Sequence, residues 1–146
     1  MQKIKKLKKL KKQKKPTRGK LVKKLDAIFS RYIRLKNADS NGMVQCYTCL
    51  EQHHRKKIQN GHFVSRWNYK YRWSEDNCRP QCYKCNCIYS GNYKLYTLKM
   101  IREYGEEKIN KILKDKELIK ISTAEIIDMI ERYTILVDKL LEVLSK

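Results

Sequence analysis

Cys46-Tyr47-Thr48-Cys49 and Cys82-Tyr83-Lys84-Cys85-Asn86 bracket the part of the chain that decides the fold. Between these two C-x-x-C pairs lie 32 residues, among them Gly61-His62-Phe63 and Glu75-Asp76-Asn77. Two such pairs in one chain supply four thiolates to one tetrahedral zinc ion. A zinc ion held by Cys46, Cys49, Cys82 and Cys85 would staple the ends of a loop-rich unit. It would also fix what lies between, including one histidine able to act as a base.

Length and composition agree with a stapled unit. A chain of 146 residues predicts one domain plus tails. An apolar fraction of 41% allows a modest core, and small cores commonly rely on a structural metal. The net charge of +20 exceeds what solubility needs and points to a polyanionic partner. Charge alone admits DNA, RNA or an acidic membrane surface. The charged N-terminus lacks the apolar segment of a secretory signal, and no run approaches the ~18 apolar residues of a membrane span. A reducing cytoplasm is therefore expected, where six cysteines mean metal or redox chemistry rather than disulfides.

Residues 1–20 form a lysine-dense arm broken by Pro16 and Gly19. A disordered, solvated tail is expected there, although Ile4, Leu7 and Leu10 also fit a basic amphipathic helix. Leu21 to Lys36 reads as a helix with Val22, Leu25, Phe29, Tyr32 and Ile33 on one face. A strand-prone Val44 leads into the first knuckle, and Glu51 to Lys57 reads as a polar loop with His53 and His54 exposed rather than metal-bound. Ile58 to Arg66 reads as a short strand in which Gly61 allows a close backbone approach. After Cys85 a short helix is expected to run to Gly91. Two more helices follow over Asn92 to Tyr104 and Glu106 to Leu118, separated by Gly105. The last helix opens on the capping-box pattern Ser122-Thr123-Ala124-Glu125. Its residues Ile126, Ile130, Tyr133, Val137, Leu140 and Leu144 form a heptad seam that can pair with the first helix or with a second copy in a homodimer.

The segment Arg66 to Trp73 interleaves bases and rings. Arg66, Lys70 and Arg72 can contact phosphates, while Trp67 and Trp73 either stack on bases or fill the core beside the zinc. Hydrolysis of a phosphodiester needs a base for water, a cation at the phosphate, and something to orient the base. His62 is the candidate base. Asn77 and Asn86 follow it by 15 and 24 residues, and a zinc staple would let all three converge.

The order C-x-x-C, Gly-His, Asn, C-x-x-C-Asn resembles the HNH, or ββα-metal, nuclease motif in its four-cysteine form. Gly61-His62-Phe63-Val64-Ser65-Arg66, Arg72-Trp73-Ser74-Glu75-Asp76-Asn77, Pro80-Gln81-Cys82-Tyr83-Lys84-Cys85-Asn86 and Ser90-Gly91-Asn92 resemble the NinG (Rap) family of phage recombination endonucleases more closely. The resemblance spans about residues 20 to 145. It implies cutting of branched recombination intermediates such as Holliday junctions and D-loops, inside a bacterial host and by a phage or prophage protein. It also implies His62 as general base, Asn77 as the residue that orients the base or its loop, and Asn86 as a ligand of a catalytic Mg²⁺ or Mn²⁺. Cys46, Cys49, Cys82 and Cys85 are the implied structural zinc set. The sequence departs from the motif at Gly61, where many HNH motifs carry an Asp metal ligand, and at Arg79, where a His is frequent. Gln59, Asn60, Glu75 or Asp76 would have to supply the missing oxygen. Cys78 and Cys87 have no assigned role.

The expected fold is α+β: a zinc-stapled ββα-metal core with its leading helix over residues 21–92, then a helical hairpin over 93–146. The expected function is a metal-dependent, structure-selective DNA endonuclease. The alternative is a non-catalytic zinc-containing DNA- or RNA-binding module, which the absent carboxylate at Gly61 favours.

Overall fold

A computed structural model describes residues 15–145. Most of the expected arm, residues 1–14, lies outside the described residues. The first helix, α1 (Arg18–Lys36), begins three residues before the expected Leu21 because the Thr17 hydroxyl caps it, accepting from the Lys20 N–H at 3.4 Å. Its last turn closes on Asn37, whose side-chain amide donates to Ile33 O at 2.7 Å.

The first hairpin corrects the expected loop. Strands β1 (Met43–Gln45) and β2 (Gln52–His54) pair antiparallel, with Val44 opposite His53. The polar composition of Gln52-His53-His54 hid a strand that half-faces solvent. The knuckle itself makes the turn: Cys46 N–H donates to Glu51 O at 2.8 Å, and Leu50 adopts a positive φ of 68°.

The second hairpin carries the motif. Strands β3 (Gln59–His62) and β4 (Cys78–Gln81) pair antiparallel with His62 opposite Cys78 and Gly61 opposite Arg79. Between them lie the short helix α2 (Tyr69–Arg72) and a single 3₁₀ turn at Glu75–Asn77. Tyr47 N–H donates to Pro80 O at 2.8 Å and joins the two hairpins. The helix expected after Cys85 is one wide turn, Lys84–Ile88, with Tyr89 N–H reaching back to Lys84 O. Gly91 ends it at φ 87°.

Helices α3 (Tyr93–Tyr104) and α4 (Glu106–Lys114) form a hairpin around Gly105, whose φ is 85°, shorter than the hairpin expected over 93–146 because the last helix packs elsewhere. Helix α4 stops four residues short of Leu118, and Asp115 turns instead to accept from Tyr71 Oη and Lys70 Nζ at 2.5 and 2.7 Å. In α3 the buried residues are Tyr96 and Met100, while Leu95 and Leu98 stay exposed. Tyr96 enters the core because its hydroxyl reaches Gly61 O and Asn77 O at 3.2 and 3.3 Å.

Helix α5 (Thr123–Leu144) starts with both reciprocal bonds of a capping box between Ser122 and Glu125. Its seam packs on α1 within the chain, with Phe29 and Tyr133 edge-to-face at 4.9 Å. Among the described residues the interior is three small clusters rather than one core. One is the α1–α5 pair with Trp73 and Cys78. The second gathers Val44, Ile58 and three cysteines, and the third Phe63, Tyr96, Met100 and Ile109. The result is a mixed fold of helices and two small sheets. Among the described residues no helix is long and apolar enough to cross a membrane.

Candidate metal centre and active-site cleft

The two hairpin ends bring Cys46, Cys49, Cys82 and Cys85 together, with all four sulfurs within 4.8 Å of one another. Cys49 Sγ and Cys82 Sγ lie 3.8 Å apart. A tetrahedron with Zn–S bonds of about 2.3 Å has edges of about 3.8 Å, so the set fits a structural zinc. None of the four is in a disulfide. Hydrogen-bond donors already surround the sulfurs. Cys82 N–H points at Cys46 Sγ (3.3 Å), Cys85 N–H at Cys82 Sγ (3.4 Å) and Asn92 Nδ2 at Cys85 Sγ (3.4 Å). Such donors stabilise thiolates and orient metal ligands. Burial pushes the Cys46 thiol up, but the Thr48 hydroxyl and backbone amides outweigh it and hold the group at about 6. Burial and the neighbouring sulfurs push Cys49 up to about 12. His53 sits at the rim of this centre, within 4.8 Å of Cys82 Sγ and a Glu51 oxygen.

The cysteine cluster lies where β3 runs beside the wide turn that follows Cys82. Between them and α1 opens a cleft of about 600 Å³. His62 and Asn86 both line it, as do Gln59, Asn60, Asp26 and Trp73. His62 is half-buried, and its Nε2 lies 2.9 Å from Arg72 O. A carbonyl only accepts, so Nε2 carries the proton and Nδ1 keeps the lone pair in the neutral ring. Burial lowers the His62 pKa, a shift that the Arg72 carbonyl partly opposes. Asn86 donates from Nδ2 to Gln59 Oε1 at 2.8 Å. Its Oδ1 has no hydrogen-bond donor among the described residues. Asn60 Oδ1 is buried without a hydrogen-bond partner.

Asn77 lies outside the cleft and acts on the loop that holds His62. It is buried and bonds Val64 in both directions, at 2.7 and 2.9 Å, and it also donates to Tyr71 O at 3.1 Å. The segment leading to the Arg72 carbonyl is thereby pinned. Cys78 packs in the α1 cluster, where burial pushes its thiol up to about 12. Cys87 is exposed and points at Gln59 Oε1.

The three basic residues named as phosphate contacts sit differently. Arg72 is 7% exposed and clamps Asp26 with two bonds, Nε to Oδ1 at 2.9 Å and Nη2 to Oδ2 at 2.6 Å. Lys70 pairs with Asp115 and Glu117. Arg66 is exposed at the cleft rim. The cleft has further cations that sequence reasoning missed: Lys23 and Arg34 from α1, with Lys56 and Lys57. No salt bridge holds these four or Arg66 among the described residues. Burial, with the like charges of Arg31 and Arg55, lowers the Arg34 pKa, the mark of an unneutralised basic face.

Asp26 was missed as well. It is the single acidic residue in α1 and, among the described residues, the single carboxylate lining the cleft, and it also accepts from Trp73 Nε1 at 2.9 Å. A lone acid beside the apolar stripe of a basic helix was the available signal. The acids considered instead face elsewhere. Glu75 accepts from Tyr32 Oη and Lys36 Nζ, and Asp76 pairs with Lys108. Arg79, at the motif's frequent His position, pairs with Glu103 and lies over the Tyr47 and Tyr104 rings.

Neither the curated proteins nor the solved structures give a match to this chain. Residues 1–142 match the NinG family, described as "Bacteriophage Lambda NinG protein". That match runs over the arm, both knuckles, the cleft and most of α5, so the chain belongs to the NinG family of phage proteins.

Proposed function

We propose that this protein is a metal-dependent, structure-selective DNA endonuclease of the HNH type. It would act on branched recombination intermediates in the cytoplasm of a bacterial host. Family membership supports a role in phage recombination. The observation that carries the nuclease reading is His62: its Nε2 is anchored on a backbone carbonyl inside a cleft, so Nδ1 is the free base. Nδ1 would take a proton from the attacking water as its oxygen bonds phosphorus. The bond from phosphorus to the 3′ oxygen breaks, its electron pair leaves with that oxygen, and the oxygen takes a proton from solvent water, leaving a 5′-phosphate and a 3′-hydroxyl. Lys23, Arg34, Lys56, Lys57 and Arg66 would hold the phosphates. Asn77 serves as a positioning residue, because it fixes the loop that presents the Arg72 carbonyl.

The oxygens of Asn86 and Asn60, with the Asp26 carboxylate, are the donors this cleft offers to Mg²⁺ or Mn²⁺. Such a cation, when bound, stabilises charge on the phosphate and the leaving oxygen. Two neutral amides and one shared carboxylate make a weak set for a hard cation, so loose binding is expected.

The test is cleavage of a four-way junction and a linear duplex by wild type and His62→Ala, both zinc-loaded, with Mg²⁺ or Mn²⁺. Junction cutting lost in His62→Ala supports the reading. A zinc-loaded wild type that binds the junction without cutting it overturns the reading. The second reading, a non-catalytic zinc-containing nucleic-acid-binding module, draws on one observation: Asp26 is already clamped by Arg72 and Trp73. It predicts that His62→Ala changes nothing.

A further inference from the structure

The two tryptophans have opposite fates. Trp73 is 6% exposed and bonded to Asp26, whereas Trp67 is 78% exposed. Indole rings are rarely left in water, because each carries a large apolar area that folding normally buries. A ring this exposed on a mobile loop would mean little. Here the backbone on both sides of it is held. Asn77 grips Val64 in both directions. Trp67 N–H bonds Ser65 Oγ at 3.3 Å, Asn68 N–H bonds Ser65 O at 2.9 Å, and Asn68 caps α2. The buried Arg72 holds the Arg66 carbonyl at 3.1 Å. The ring is thus presented on a fixed tip, so stacking on it would cost little ordering entropy.

The neighbourhood identifies what the ring would meet. Arg66, the residue before it, lines the cleft with His62, and its guanidinium lies 6.0 Å from the centre of the Trp67 ring. A cation beside an open aromatic face, on the rim of a basic cleft, suits a nucleic-acid strand whose phosphate and base are both within reach. In a paired duplex the base faces are covered by their neighbours. An exposed ring gains a partner only where a base is unstacked.

We propose that Trp67 is a base-stacking residue that selects DNA with unpaired bases beside the cleft, with Arg66 holding the adjoining phosphate. The inference rests on the nucleic-acid reading of the cleft but not on its catalysis. It assigns discrimination between branched and linear DNA to a residue outside the His62, Asn77 and cysteine constellation.

The experiment measures binding of full-length, zinc-loaded protein without added Mg²⁺ or Mn²⁺. The probes are a linear duplex and a forked duplex of equal length with two unpaired arms. Trp67→Ala should weaken the fork by roughly 5- to 150-fold, the range for one base–aromatic stack, and leave the duplex nearly unchanged. Trp67→Phe should keep most of the fork affinity. Indole fluorescence of the wild type should be quenched by the fork, and that quenching should vanish in Trp67→Ala, where Trp73 remains. Equal losses on both probes, or no loss, would overturn the proposal. Cutting assays in Mg²⁺ separate it from the nuclease reading. Fork selectivity through Trp67 without cutting sinks only the nuclease. Cutting that ignores Trp67 sinks only the stacking. No binding to either probe overturns both.

Discussion

A β-carbon on Gly61 would lie 2.1 Å from Gln81 Oε1 and 2.8 Å from Gln81 Cγ. Gln81 is fully buried and cannot swing clear without losing its bonds from Nε2 to Thr48 Oγ1 and Gly91 O, at 3.1 and 2.8 Å. This is the physical reason for the departure from the motif: the acid expected before the histidine has no room while Gln81 crosses β3. Gly61→Ala should therefore destabilise the zinc-loaded protein by about 1–3 kcal/mol, read from denaturant midpoints at constant m. An unchanged midpoint would mean that Gln81 is free to move. At His62 the prediction concerns pH. Burial lowers its pKa from the ordinary value near 6.5, so the neutral, basic ring persists into mildly acid solution. Protonation removes the base, so kcat/KM for junction cutting should be flat above about pH 6.5 and fall only below it. An acid limb centred above pH 7 would assign the base to another group.

Helix α5 shows how far periodicity reads at the scale of an element. Its heptad seam and capping box are both present, because each depends on residues within two turns of one another. The partner was undecided in sequence, and α1 fills the seam by packing Phe29 and Tyr32 on Tyr133. Adjacent isoleucines give the test. Ile126 is fully buried and Ile127 is 45% exposed. Ile126→Ala should cost about 2–5 kcal/mol, whereas Ile127→Ala should stay within about 0.5 kcal/mol of wild type. Comparable losses from both would mean that the outer face of α5 is also covered, as a second copy would do. Strand β2 was illegible for the opposite reason. Gln52, His53 and His54 carry no apolar alternation, and only their pairing with β1 across the knuckle makes them a strand.

For the whole molecule, legibility follows contact distance along the chain. The four-cysteine cluster could be read because it lies in two four-residue spacings, and the nearness of His62 to Asn86 because a motif fixes their order. Asp26, Lys23 and Arg34 could not, because they enter the cleft from α1, more than 25 residues before His62. Their place on the cleft exists only once α1 lies across β3. The same organisation predicts what zinc removal does. The metal would join the first knuckle to the turn carrying Asn86, but it touches neither the α1–α5 pair nor the Phe63, Tyr96 and Ile109 cluster. Those interiors bury Leu25, Phe29, Ile109 and Ile126 almost completely and should survive on their own. Chelation should therefore abolish junction cutting and fork-selective binding while most helical far-UV ellipticity remains. Cobalt added to the stripped protein should give thiolate charge-transfer absorption, and zinc should restore cutting. Full activity at zero zinc content would show that the four cysteines hold no metal needed by the cleft. Loss of all helical signal would show that the helix pair depends on the staple, and that the three clusters fold as one.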